Sequence, residues 1–162
     1  MRALVWLLVF ACAGAQAAQV ETPVASLTLP DGWATQRDFM GLVLLARPGQ
    51  QADPAGWRDD LLMLASQPRR RGQSLAKAAE ERLAQIGYNS KSLRIIDRLP
   101  SANRQVLRLH IQLQSPQKAL EGQLLMAERD QQLVSVLITT TYTRYPGRAA
   151  TFTKVLDSVS WR

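Results

Sequence analysis

The chain has one cysteine and one histidine among its 162 residues, and each scarcity removes a class of chemistry. Cys12 lies within the first seventeen residues, so residues 18–162 have no disulfide, no thiol nucleophile and no thiolate metal site. His110 would have to serve alone as the base of any Ser-His-Asp arrangement. It stands in no cluster of His, Cys, Asp or Glu at ligand spacing, so no zinc site is expected. Dense acidic runs are missing too: "ADPAGWRDD" (52–60) has neither the ligand spacing nor the length of a calcium loop. The acidic pairs Asp59-Asp60 and Glu80-Glu81 are sequence neighbours, which on a strand or helix do not converge on one point. With no Gly-Lys-Ser/Thr phosphate loop either, the expectation is no cofactor and no catalytic residue set. Long apolar runs are confined to residues 3–10, too short for the roughly 20 residues that cross a bilayer.

That apolar run belongs to "MRALVWLLVFACAGAQA" (1–17), with a positive Arg2 before it and the small-residue motif Ala15-Gln16-Ala17 after it. This is the grammar of a secretory signal peptide, with cleavage expected between Ala17 and Ala18 and a periplasmic destination. A competing reading starts from Val9-Phe10-Ala11-Cys12, a loose lipobox in which Cys12 becomes a lipidated first residue. Phe10 is bulkier than the usual residue there and the preceding stretch is short. Lipidation is the only expected route to membrane association. Across the whole chain 20 Lys and Arg oppose 13 Asp and Glu, a net charge of +7, and losing Arg2 lowers it by one to +6. In an exported protein such a surplus points to anionic lipid head groups, glycans or an acidic protein surface rather than nucleic acid, or simply to solubility.

The remaining pattern alternates between strand and helix signals. "ASLTL" (25–29) reads as a strand closed by the Pro30-Asp31-Gly32 turn, "FMGLVLLA" (39–46) as a second strand and "DLLMLASQ" (60–67) as a third. From Leu75 the period becomes helical, through Ala78, Ala79, Leu83 and Ile86, with Ser74 as N-cap, Gly87 as the stop and Glu80-Glu81 on the solvated face. Strands follow at 92–99, 104–114, 121–129 and 132–142, the last two joined as a hairpin at Asp130-Gln131. Within 104–114, Leu107, Leu109, Ile111 and Leu113 alternate with Arg108, His110, Gln112 and Gln114, which predicts one face on a core and the other in solvent. Pro146-Gly147 is expected to break the chain before a helix over 148–159, with Trp161 packing behind it. These elements define one α+β domain over 18–162, without repeats or linkers.

In this order "LTLPDGW", the helix "SLAKAAEERL", the antiparallel strands and the closing "FTKVLDSVSW" resemble the DcrB-like family of the Mog/PsbP-like superfamily, over roughly residues 25–161. The resemblance implies a curved antiparallel β-sheet covered by helices, on an exported and non-enzymatic binding or assembly protein. It transfers no catalytic residues, and fold analogy alone does not select a function. Three function classes follow: a periplasmic protein that binds a protein or envelope partner, an immunity protein that neutralises a toxic enzyme in the periplasm, and an envelope hydrolase dependent on His110.

Two segments are candidates for partner binding. Trp57 and Arg58 sit in a Pro- and Gly-containing loop, and aromatic and arginine side chains in loops are enriched at interface hot spots. Trp57 could equally fold back on the core. Arg69, Arg70 and Arg71 in "QPRRRGQSL" (67–75) crowd the positive end of the helix that Ser74 caps, where an anion or acidic partner would relieve them. The competing reading of this stretch is a solvated corner.

Overall fold

The computed structural model describes residues 17–56, 58–86, 92–101, 105–114 and 118–162. Residues 1–16 of the expected signal peptide, Trp57 and the Gly87 stop lie outside them. Ten strands and two helices occur among the described residues: β1 (Ala18–Glu21), β2 (Ala25–Leu29), β3 (Trp33–Phe39), β4 (Leu42–Pro48), β5 (Leu61–Pro68), α1 (Leu75–Ile86), β6 (Ser92–Leu99), β7 (Val106–Gln114), β8 (Ala119–Arg129), β9 (Gln132–Thr141), α2 (Tyr145–Asp157) and β10 (Ser160–Trp161). Seven strands make one open antiparallel sheet in the order β3-β4-β5-β9-β8-β7-β6. The other three make a small antiparallel sheet in the order β1-β2-β10.

The central strands explain the layering. In β8 and β9 consecutive apolar residues point to opposite faces, and both faces are covered, so these strands read as nearly continuous buried runs. Leu124, Met126, Leu133 and Leu137 join Leu109, Ile111 and Leu113 beneath Ala78, Ala79 and Leu83 of α1. Leu125, Val134, Val136 and Ile138 join Leu62, Leu64 and Leu44 beneath Phe152, Val155 and Leu156 of α2, together with Leu27 and Leu29 of the small sheet. Two apolar cores thus lie back to back on one sheet. Trp33 and Trp161 pack against the second of them, in agreement with a structural role for the Pro-x-Gly-Trp turn and the closing tryptophan.

Four sequence expectations change. The strand expected at 39–46 is the second arm of a hairpin, β3 to β4, whose turn holds Met40 and Gly41 at φ 49° and 79°. Its first arm was not expected, because positions 34–38 are exposed on both faces and leave no hydrophobic alternation to read. α2 starts at Tyr145, with Pro146 inside its first turn. Proline is accommodated there because the first helical N–H groups have no partner within the helix anyway, so Pro146-Gly147 begins the helix instead of breaking the chain. The polar side of β7, expected in solvent, lies toward α2, and Arg108 is buried. The short β1 and β10 carry too few residues for a pattern and emerge only through pairing with β2.

Gly122 lets β8 and β9 approach at one tight point. A Cβ there would meet the carbonyl oxygen of Ile138 at 2.1 Å and the Cα of Thr139 at 2.9 Å. Since the obstacle is backbone, a side chain cannot be accommodated by a rotamer change. Gly122→Ala is expected to lower the unfolding free energy by about 1–3 kcal/mol in urea titration, and an unchanged midpoint would contradict this packing.

Candidate functional site

The polar side of β7 meets α2 in a connected hydrogen-bond network. Arg108 donates from Nη1 to Asp157 Oδ1 at 2.6 Å, and from Nη2 to Gln123 Oε1 at 2.9 Å and the Thr153 carbonyl at 3.4 Å. Gln123, also buried, donates onward to Tyr145 Oη at 3.1 Å and Thr153 Oγ1 at 3.3 Å. His110 Nε2 lies 2.6 Å from Glu121 Oε1, and its ring stacks on Tyr145 with centroids 4.8 Å apart. Gln112 donates to the second Glu121 oxygen at 3.3 Å. Burial raises the Tyr145 hydroxyl above the ordinary phenol value, with Glu121 adding to the rise, against the Gln123 hydrogen bond and Arg108 that lower it. It therefore stays protonated at neutral pH. The sole histidine is thus held by a carboxylate on one side and an aromatic ring on another, as an internal partner of α2.

A second cluster fastens the loop over residues 49–60. Asp60 is 1% exposed. Its carboxylate accepts from Thr140 Oγ1 at 2.5 Å and lies 3.1 Å from Arg148 Nε and 3.7 Å from Arg144 Nε. Asp53 pairs with the same two arginines, at 2.6 Å for Arg144. Gly56 is required beside them, since a Cβ would fall 2.1 Å from Arg144 Nη2. Burial pushes the Asp60 carboxyl above the usual carboxylate value, opposed by the Thr140 hydrogen bond and Arg144 and reinforced weakly by Asp59. Asp59 itself turns outward to Lys118 at 2.7 Å, so the adjacent acids do diverge. Sequence reading missed Asp60; the available signal was the i, i+4 spacing of Arg144 and Arg148, which sets two cations on one side of α2.

The arginine corner forms where it was expected, between β5 and α1. Ser74 Oγ accepts from the Lys77 N–H at 3.2 Å, a true N-cap. Gly72, at φ 74°, turns the chain into it. Arg69 pairs with Glu128 and Arg70 lies 3.5 Å from Glu81, so the charge crowding the helix end is relieved partly from within the chain. The Arg70 side chain stays 78% exposed, and Arg71 is exposed without an ion pair among the described residues. A cavity of about 350 Å³ lies among Arg69, Arg70, Arg71, Glu128 and Gln131. Arg58 is exposed in the loop before β5. Arg58 precedes β5 and the arginine corner follows it, so the two lie at opposite ends of that strand.

These features together define an α+β protein: among the described residues, two helices and a small sheet lie around one antiparallel sheet, and the buried Asp60, Arg108 and Glu121 have internal partners. No family model matches the chain, and no curated protein matches it. Solved structures do. The solution structure of cyanobacterial PsbP (CyanoP) from Synechocystis sp. PCC 6803 is similar with a TM-score of 0.69 over 95% of this chain and 99% of that one, at 12% identity. The Ran-binding protein Mog1p of Saccharomyces cerevisiae gives 0.64 over 90% and 95%, at 5% identity. LpqN, involved in cell envelope biogenesis of Mycobacterium tuberculosis, gives 0.59 over 90% of each chain, at 11% identity. The chain has the Mog/PsbP-like fold.

Two outcomes test the energetics of these clusters. Arg108→Ala should cost about 2–3 kcal/mol of unfolding free energy, because Gln123 is left buried with one partner fewer; Asp157→Ala, removing the exposed partner, should cost under about 1 kcal/mol. Equal costs in urea titration would contradict the assignment of Gln123 as the critical partner. For Asp60, a folded pKa above the unfolded one means the native state holds the proton to higher pH. Its contribution to stability is therefore full below the unfolded pKa and is lost as pH rises through the folded value. The stability of the wild type relative to Asp60→Asn should fall as the pH is raised through that window, and a rise would overturn the direction.

Proposed function

We propose that the chain is an exported, DcrB-like, non-enzymatic protein of the periplasm that acts by binding a protein partner in the cell envelope. The observation that carries this reading is where the charges point. The histidine and the most buried acid are occupied by internal partners, whereas Arg70 and Arg71 face outward beside the capped end of α1. Their shape and sign suit an acidic surface rather than a reaction. A structural likeness to a protein named for binding Ran and to one named for envelope biogenesis supports a binding role of this kind. The hydrolase reading needs His110 as a free base, and its bond to Glu121 and stack on Tyr145 speak against that.

The test joins location to binding. Intact-mass measurement of the exported protein should find an unlipidated N-terminus at Ala18; acylated Cys12 would replace the soluble periplasmic reading with an anchored one. The same protein, immobilised, should retain an envelope protein at low salt and release it as salt rises. Arg70→Glu with Arg71→Glu should abolish that retention through charge reversal. Undiminished retention by the reversed variant would remove the arginine corner from the interface.

A further inference from the structure

The two ends of the seven-stranded sheet differ. At one end, β3 exposes Ala34, Thr35, Gln36, Arg37 and Asp38, without a large apolar side chain among them. At the other, β6 exposes Arg94, Ile95, Ile96, Asp97 and Arg98 in succession, with Ile95 at 39% and Ile96 at 42% exposure. Edge strands present unpaired backbone groups, and on β6 two adjacent exposed isoleucines lie between the opposite charges of Arg94 and Asp97. Neither Arg94 nor Asp97 has a hydrogen bond or ion pair among the described residues. The outer end of the sheet therefore carries apolar area and two opposite charges with nothing yet to meet.

Register shows what would meet them. Arg94 stands opposite Gln112 and Asp97 opposite His110, with the register shifting between Ile95 and Asp97. In a regular strand, residues three apart point to opposite faces. The extra residue at the bulge cancels that, so Arg94 and Asp97 share the face on which α2 lies. An antiparallel pairing of two identical strands about a two-fold axis requires the residues flanking the axis to share a face, and the bulge supplies this parity. With the axis at Ile95 and Ile96, Arg94 of each copy lies across from Asp97 of the other, at the roughly 5 Å Cβ separation of cross-strand pairs. The isoleucines of both copies meet at the centre.

We infer that β6 is a self-association edge, where two copies of this chain join their sheets antiparallel through the Ile95-Ile96 bulge and two reciprocal Arg94–Asp97 ion pairs. The inference does not depend on the envelope partner. A single strand edge buries less than the ~1,600 Å² of a standard interface, so the dimer is weak and concentration-dependent.

Sedimentation velocity over about a hundredfold range of concentration tests it by mass action. The wild type should pass from monomer to dimer across the range. Arg94→Asp alone and Asp97→Arg alone each place like charges together twice per dimer, and each should weaken self-association about tenfold or more. An equimolar mixture of the two single variants should dimerise again, because one chain then carries two acids and the other two bases at the facing positions. Both residues are exposed, and thermal melts identify any variant that has lost its fold; for such a variant Ile96→Lys replaces it, with loss of the dimer expected. A wild type that stays monomeric throughout, single variants that dimerise undiminished, or a mixture that fails to recover would each overturn the proposal.

Discussion

The structure depends on one constraint: β8 and β9 are buried on both faces. A strand in that position must be apolar on both sides, and whatever covers each side must be apolar where it touches. α1 meets this with small residues, since Ala78 and Ala79 are fully buried against the sheet. α2 also reaches over strand positions that are polar. There the covering surface has to supply hydrogen bonds, and it does so through Tyr145, Thr153 and Asp157 to Arg108 and Gln123. The polar network is thus the price of extending one helix past the edge of the apolar core. Half-satisfied, it would cost more than an apolar replacement, which is why Gln123 divides its two ends between Arg108 and α2.

The same economy governs the charges. Asp53 and Asp60 hold Arg144 and Arg148 at the start of α2, fixing the long loop before β5. Glu128 and Glu81 take part of the load at the arginine corner. Among the described residues, exposed charge and apolar area left over from this pairing lie at the arginine corner and on the β6 edge. Surfaces of this kind read a partner by charge and by backbone pairing.

Apolar runs bounded by turn residues, and the stretch with helical spacing, were legible in the sequence: β2, β5, the β8–β9 hairpin, and α1 with its Ser74 cap all fall close to their expected places. β3 was not legible because exposure on both faces removes the periodic signal. The alternation in β7 was read correctly as two unlike faces, but the destination of the polar one was not in the strand itself. It depends on the position of a helix starting some thirty residues beyond β7 in the chain, as Arg108 to Thr153 and Asp157 shows. Asp60 escaped for the same reason, since its partners Thr140, Arg144 and Arg148 are distant in sequence. The arginine corner was located correctly, and only the internal pairing of Arg69 and Arg70 had to come from three dimensions.

The small sheet carries a consequence in time. β2 is flanked by β1, which just precedes it, and by β10, far along the chain from it; the Arg162 N–H donates to the Val24 carbonyl and its side chain pairs with Glu21. Thr28 likewise waits for the Ser158 hydroxyl that accepts its N–H. A chain made from its N-terminus therefore presents β2 with an open side until β10 has joined it. Closure of the small sheet is a long-range step, and removing Ser160 and Trp161 would leave β2 with a free edge.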